Sequence, residues 1–315
     1  MSLTIGVDIG GTKVLGGVVD PDGRVIAQTR RDTPADDVSQ TLRMIVEVVT
    51  ELADRHPVEA VGVGAAGWID ETRSRVLFAP NLAWREEPLR EHLAAQVDLP
   101  IVVENDANAA AWAEFRFGAA RDATDSMVMF TIGTGIGSGI VLGGELVRGA
   151  HGIAAELGHM VAVQNGHLCG CGRRGCLEQY ASGNALVRYA QAAAKEDPAR
   201  AARLLELAGG SAGAITGPMV TAAAQAGDEH AQAAFVEIGT WLGAGLANLV
   251  QVLDPQVLVL GGGVIEADDL LLGPTRRAFV EALAQRAQLP VAEIRPAKMG
   301  VLAGVVGAAD LARRR

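Results

Sequence analysis

The sequence predicts an α/β fold of two similar lobes with a cleft between them. Three observations carry that prediction. The order of strands and helices runs βββαβα and then starts again. Each run opens with a strand, a glycine-rich turn and a strand, the matching pieces being Asp8-Ile9-Gly10-Gly11-Thr12 and Thr131-Ile132-Gly133-Thr134-Gly135. The chain has 315 residues, 49% apolar and 20% charged, which suits about two domains of roughly 150 residues and a sizeable core. Thirty-nine glycines are about 12%, against a usual ~7%, and such an excess marks tight turns or backbone lying close to ligands.

The elements follow in order. Leu3–Ile9 and Val14–Val19 are apolar strands joined by the first glycine turn; Pro21-Asp22-Gly23 turns the chain into a third strand, Val25–Thr29. Leu42, Ile45, Val46, Val49, Leu52 and Ala53 repeat at helical spacing, with Ser39 or Thr41 as the expected cap. Ala60–Gly64 is a strand, Pro88–Val97 a helix and Ile101–Glu104 a strand. That strand runs into Asn105-Asp106 and the alanine-rich helix Ala107–Phe117. The plan restarts at Met127–Ile132, turns through Gly133–Gly139 and continues in Ile140–Leu142 and Glu145–Val147. A cysteine-bearing segment and several helices follow. Val257–Leu260 is a strand ending in Gly261-Gly262-Gly263, Asp268–Gln288 a helix, Val291–Ile294 a strand and Met299–Arg315 the last helix. No linker separates the halves. The expected domains are a small lobe over 1–120 and a large lobe over 121–299, with the helix at about 300–315 packing back on the first.

Charge excludes some functions. Twenty-seven basic against thirty-seven acidic residues leave a net charge of −10, and aromatics are only 4%. Neither a basic stripe nor a stacking platform for nucleic acid is present. The one basic cluster, Arg313-Arg314-Arg315, is expected to be a solvated tail. The start at Leu3 lacks a charged region followed by an apolar one, so no signal peptide is expected. Ile238–Leu253 is shorter than the ~20 residues of a membrane span. A soluble, cytoplasmic protein is expected.

Glycine turns bring bare backbone N–H groups close to anionic oxygens, so two of them at equivalent points suit a polyphosphate. No G-x-x-x-x-G-K-[ST] loop occurs. Gly62-Val63-Gly64-Ala65-Ala66-Gly67 fits G-x-G-x-x-G, but a dinucleotide site needs a helix to open there, and Trp68–Thr72 reads as strand and turn.

All three cysteines lie within eight residues, Cys169-Gly170-Cys171-Gly172-Arg173-Arg174-Gly175-Cys176. Disulfides are rare in the cytosol, and three thiolates need one further ligand for tetrahedral zinc. His151, His159 and His167 precede them. His159, at H-x9-C-x-C-x4-C, can reach around a metal, whereas His167 has little room to. Four protein ligands leave no open position, so the zinc is structural. Glu156 and His159 are three apart; a ring nitrogen on zinc leaves the other to donate to a ligand, and an acid beside it suits a polyol. Asn105-Asp106 sits where a strand ends and a helix begins, and on spacing alone it is a helix cap.

Together these motifs resemble the ROK family (repressors, open reading frames and kinases) of the actin-like ATPase and hexokinase superfamily, and most of all its bacterial ATP-dependent glucokinases. The matching runs are Asp8–Lys13, Glu104–Asn108, Gly133–Gly139, Glu156–His159, Cys169–Glu178 and Leu260–Val264, spread over nearly the whole chain. The resemblance implies an actin-like, ribonuclease H-like fold and ATP-dependent phosphorylation of glucose at O6. It implies Asp106 as catalytic base and Asn105, Glu156, His159, Glu178 and Gly67 as sugar-binding residues. The zinc ligands would be His159, Cys169, Cys171 and Cys176. Gly10, Gly11, Thr12 and Lys13, with Gly133, Thr134, Gly135 and Gly137, match the phosphate loops. Gly261, Gly262 and Gly263 match the turn beside the adenosine, and Asp8 the carboxylate near Mg²⁺. ATP, Mg²⁺ and structural Zn²⁺ are the implied cofactors, and a homo-oligomer without nucleic-acid or membrane partners the implied assembly. Kinases for N-acetylglucosamine, N-acetylmannosamine, fructose or allose share much of the pattern. Sugar-sensing repressors of the family carry an N-terminal DNA-binding domain, for which a phosphate loop starting at Asp8 leaves no room.

Overall fold

A computed structural model describes residues 2–34, 36–79 and 82–314. Continuous apolar runs make its central strands, which are covered on both faces. Strand β1 (Leu3–Ile9) buries Ile5, Val7 and Ile9 completely. It pairs antiparallel with β2 (Lys13–Val19), which pairs antiparallel with β3 (Val25–Asp32). Helix α1 (Val38–Ala53) follows and buries Ile45, Val48, Val49 and Leu52. Asp37, not Ser39 or Thr41, caps it by accepting from Gln40 N–H at 2.9 Å. Thr41 is buried instead, its hydroxyl donating to the Pro34 carbonyl at 2.9 Å.

Strand β4 (Val58–Ala65) returns parallel to β1. The chain then forms a small antiparallel sheet, β5 (Trp68–Ile69), β6 (Val76–Phe78) and β7 (Arg85–Glu87), so no helix opens at Gly62–Gly67. Helix α2 (Leu89–Ala94) leads to β8 (Ile101–Asn105), parallel to β4, and then to α3 (Asp106–Arg116). The first sheet has the order β3-β2-β1-β4-β8.

The second sheet repeats this order. Its strands are β9 (Met127–Ile132), β10 (Ile136–Leu142), β11 (Glu145–Leu146), β12 (Val257–Gly261) and β13 (Glu293–Pro296), arranged β11-β10-β9-β12-β13. The expected turn over Gly133–Gly139 is shorter than its glycines suggest, because β10 already begins at Ile136. Between β11 and β12 lie α4 (Glu178–Ala181), α5 (Gly183–Glu196), α6 (Ala202–Leu207), α7 (Gly217–Gln225) and α8 (Glu229–Leu253). Helix α8 is longer than its most apolar stretch and is long and apolar enough to cross a membrane, yet 61% of that window is buried, as in a core helix. It packs against α9 (Asp269–Leu283). The helix expected to reach Gln288 ends at Leu283, where Ala284 adopts φ +49° and a 3-10 turn follows.

The chain divides into two compact units. The first comprises residues 1–129, 138–155 and 297–315, the second 130–137 and 156–296. In the first unit α10 (Ala303–Arg313) lies so close to β1 and β4 that Gly6 and Gly62 face the carbonyls of Val305 and Ala308. The arginine cluster is not simply a solvated tail. Arg313 bonds Asp310 and Thr4 at 2.8 Å, pinning α10 to β1; Arg315 lies outside the described residues.

Candidate active site

Sheet register sets the first group of residues. Ile9 on β1 lies beside Ala65 on β4, and Ala65 beside Asn105 on β8. The segments that follow these parallel strands therefore leave from one edge, the usual place for ligands in such sheets. They are Gly10–Lys13, Ala66–Gly67 and Asp106. The Gly10 N–H donates to the Lys13 carbonyl at 3.0 Å, closing the first glycine turn.

Asn105 is both a helix cap and part of the site. Its Oδ1 accepts from Asn108 N–H at 2.9 Å and its Nδ2 donates to the Gly67 carbonyl at 3.0 Å. Gly67 has φ +154° and faces the Phe78 carbonyl, a position that excludes a Cβ. Asp106 starts α3, and its Oδ1 accepts from Ala107 N–H at 2.9 Å. Burial raises the Asp106 pKa above the ordinary carboxylate value. Asp8 is pushed up to about 7, first by burial and then by the charge of Asp106, with Lys13 pulling the other way. A Cβ on Gly304 of α10 would come within 2.8 Å of the Asp8 carboxyl carbon. A divalent cation beside Asp8 would offset its charge and that of Asp106.

The second group lies in the second unit. The ligand atoms of His159, Cys169, Cys171 and Cys176 all fall within 4.8 Å of one another. A tetrahedron with metal–sulfur bonds of ~2.3 Å has edges of about 3.8 Å. Cys171 and Cys176 sulfurs are 3.7 Å apart, and Cys169 Sγ is 3.6 Å from His159 Nδ1. Burial and the neighbouring thiols push Cys176 up to about 12, and burial raises Cys169. Thiols held so close stay protonated unless a cation joins them, so the cluster fits zinc. His159 is the histidine of the cluster; His167 packs its ring on Tyr180, 5.3 Å between centroids.

With Nδ1 turned to the sulfurs, His159 Nε2 faces Glu156, 3.9 Å from Oε2. Glu178, the first residue of α4, accepts from Ile136 N–H at 3.0 Å and from the Cys169 thiol at 3.5 Å. Gly135 faces the Glu178 carboxylate so closely that a Cβ there would overlap it. Glu178 thus joins the cysteine cluster to the second glycine turn, in which Gly133 N–H donates to the Gly135 carbonyl at 3.0 Å. Asn184 N–H donates to the Thr134 carbonyl at 3.3 Å, Gly137 sits in β10, and Gly261 ends β12, with Gly262 and Gly263 opening the 3-10 turn that follows.

The structure thus gathers the expected residues into two sets, one in each unit. Sequence reasoning missed the Glu178 bond to Ile136 and the buried Glu104 beside Asn105. A lone acid at the end of the apolar run Ile101-Val102-Val103 was the available signal for Glu104, since a buried carboxylate demands partners.

The family model described as the ROK family matches residues 4–315. The chain belongs to the ROK family. Among its ROK relatives, a Streptomyces coelicolor glucokinase is 46% identical over 317 residues, covering 99% of this chain and 98% of the relative. The crystal structure of a ROK family glucokinase from Streptomyces griseus in complex with glucose and AMPPNP superposes with TM-score 0.90 at 48% identity, covering both chains completely. A ROK hexokinase from Thermus thermophilus superposes at 0.81 with 33% identity, over 99% of this chain and 98% of that one. The duplicated sheet order is that of the two-lobed, actin-like ATPase fold.

Proposed function

We propose that the protein phosphorylates glucose at O6 with ATP, giving glucose 6-phosphate and ADP. The observation that carries this reading is Asp106: it opens α3 just past β8, its Oδ1 is held by Ala107 N–H, and its neighbour Asn105 is tied to Gly67. Identity of 46% to a glucokinase and 48% to a glucose-bound one supports the choice of sugar.

Phosphoryl transfer is mainly positioning and charge stabilisation. Asp106 Oδ1 is held by Ala107 N–H, which leaves Oδ2 to accept the O6 proton as O6 attacks the γ-phosphorus. The bond to the β,γ-bridging oxygen breaks and ADP departs. Asn105 uses one amide hydrogen on Gly67 and offers the other to a sugar hydroxyl. Glu156 accepts from a hydroxyl and His159 Nε2 donates to one. Once Cys169 has given up its proton, Glu178 Oε1 is free to accept from a further hydroxyl. Within the turns Gly10–Lys13 and Gly133–Gly137, the backbone N–H groups of Gly11, Thr12, Thr134 and Gly135 receive phosphate oxygens, and Gly261–Gly263 line the adenosine. Mg²⁺, near Asp8, would offset the phosphate charge. Zinc on His159, Cys169, Cys171 and Cys176 would fix the tautomer and orientation of the His159 ring. A cytoplasmic location and a homo-oligomeric assembly are parts of this reading supported by the family resemblance alone.

The test is product identity across a panel of hexoses with ATP and Mg²⁺. Glucose should give glucose 6-phosphate at the highest kcat/KM. Turnover of N-acetylglucosamine or N-acetylmannosamine far faster than glucose would overturn the choice of sugar, and no turnover of any hexose would overturn the kinase.

A further inference from the structure

Glu104 is only 1% exposed, directly precedes Asn105, and has no part in the chemistry above. Its Oε1 accepts from Asn105 N–H at 2.9 Å and from Asn108 Nδ2 at 3.2 Å. Its Oε2 lies 2.8 Å from Arg148 Nε and 3.2 Å from Arg73 Nε. The Arg148 contact is close but off the hydrogen-bond axis, so charge rather than a directed bond holds it. Arg148 in turn donates to the carbonyls of Asp70 at 2.8 Å and Glu71 at 3.0 Å.

All these contacts converge on one feature. Residues 67–75 carry Gly67, β5 and the turn that leads to β6. Asp70 closes that turn by accepting from Ser74 and Arg75 N–H at 2.8 and 2.9 Å. The turn is fastened to β8 by Val103 N–H donating to the Arg73 carbonyl at 3.1 Å, by Arg73 on Glu104, and by Arg148 bridging Glu104 to Asp70 and Glu71. The Asn105 amide on Gly67 is the last attachment.

A buried ion cluster of this kind is a weak source of stability, because desolvating three charges offsets most of their attraction. What it does supply is a fixed geometry. We propose that Glu104, with Arg73 and Arg148, is a positioning residue that holds the Gly67 turn against Asn105 and so sets the affinity for the sugar. The glycine turn of Gly10–Lys13 and the whole second unit receive none of these contacts. Loss of the cluster should therefore weaken the sugar and spare the nucleotide.

The inference rests on the kinase reading, so wild-type turnover is measured first, and the comparison uses whichever hexose the wild type phosphorylates. Glu104→Gln keeps an acceptor for Asn105 N–H and Asn108 Nδ2 and puts an NH2 donor where Oε2 faced the two guanidinium groups, so both arginines lose their partner. Arg73→Met, on the more exposed partner, serves where Glu104→Gln does not fold. Asp310→Asn is the control: Asp310 is a buried carboxylate that accepts from Trp112 Nε1 at 2.9 Å and pairs with Arg313, away from the sugar residues. KM for sugar and for ATP, sugar Kd by calorimetry and Tm are read for each.

Glu104→Gln and Arg73→Met should raise sugar KM and Kd by ~10–100-fold, the scale of losses around an oriented ligand group, with ATP KM within about twofold of wild type. Asp310→Asn should lower Tm and move neither KM. Folded variants with unchanged sugar KM, equal rises in both KM values, or the same sugar effect in Asp310→Asn would each overturn the proposal.

Discussion

Two carboxylates compete for negative charge at the end of the first sheet, and their substitution separates base from cation holder. Asp106→Asn keeps a group able to bond O6 but unable to take its proton. It should cut kcat by ~10²–10⁴ while glucose binding by calorimetry stays near wild type. A helix cap alone would tolerate asparagine, and the capping position belongs to Asn105 in any case. Since burial raises the Asp106 pKa, kcat/KM should fall with decreasing pH at a point above the ordinary carboxylate range; the pH–rate profile reads this directly. Asp8 has a sign of its own. Its folded pKa of about 7 exceeds the unfolded 3.8, so between those values the native state holds a proton that the unfolded state has lost. Stability without Mg²⁺ should therefore decline as pH rises from about 4 to 7 and level off above. Asp8→Asn should flatten that decline, as measured by Tm against pH in chelator. Gly135 is the other informative residue: alanine there displaces the Glu178 carboxylate, and kcat should fall with little change in Tm.

At the scale of elements, the segment from Glu156 to Glu178 has little regular structure of its own. It holds a 3-10 turn over Leu157–His159 and two isolated bridges, Val161 to Cys176 and Leu168 to Arg174. Backbone bonds such as Ala162 N–H to the Gly175 carbonyl and Leu177 N–H to the Met160 carbonyl, each 2.8 Å, also hold it, and the four-ligand cluster sits between its ends. Purified protein should contain about one zinc per chain. Cys171→Ala, or removal of the metal, should abolish glucose binding before it unfolds the chain, as shown by metal content and calorimetry alongside circular dichroism; a metal-free protein binding glucose normally would contradict this. The cluster was legible because its spacing confines four donors to a short stretch. His159 was separable from His167 on the same ground, reach around an ion. The α1 cap was not legible: Asp37, Ser39 and Thr41 are all capping residues within five positions, and packing of Thr41 on Pro34 decides among them. The end of α9 at Leu283 was hidden as well, since Ala284-Gln285-Arg286-Ala287 has good helix propensity and only its tertiary setting breaks the helix.

Over the whole molecule, the duplicated order of strands and helices was readable from the two glycine turns and the recurring strands, because continuous apolar runs and turn residues are local signals. Contacts between distant parts of the chain were not. Glu104 meets Arg148 from 44 positions further on, and Glu114 accepts from Lys298 and Met299 N–H at 2.8 and 2.6 Å across more than 180. Nothing local to either glutamate names such partners; an acid in an apolar run says only that one exists. Glu114 lies on α3, whose first residue is Asp106, and it ties that helix to the segment leading into α10. The proposed base, Asp106, takes the O6 proton of the sugar, so phosphate should leave ATP for that acceptor and not for water. ATP consumption by the purified protein with Mg²⁺, measured with and without glucose alongside glucose 6-phosphate formation, tests it most directly. The account predicts ADP and glucose 6-phosphate in equal amounts with glucose and almost no ADP without it; ATP hydrolysis that proceeds equally without the sugar would contradict it.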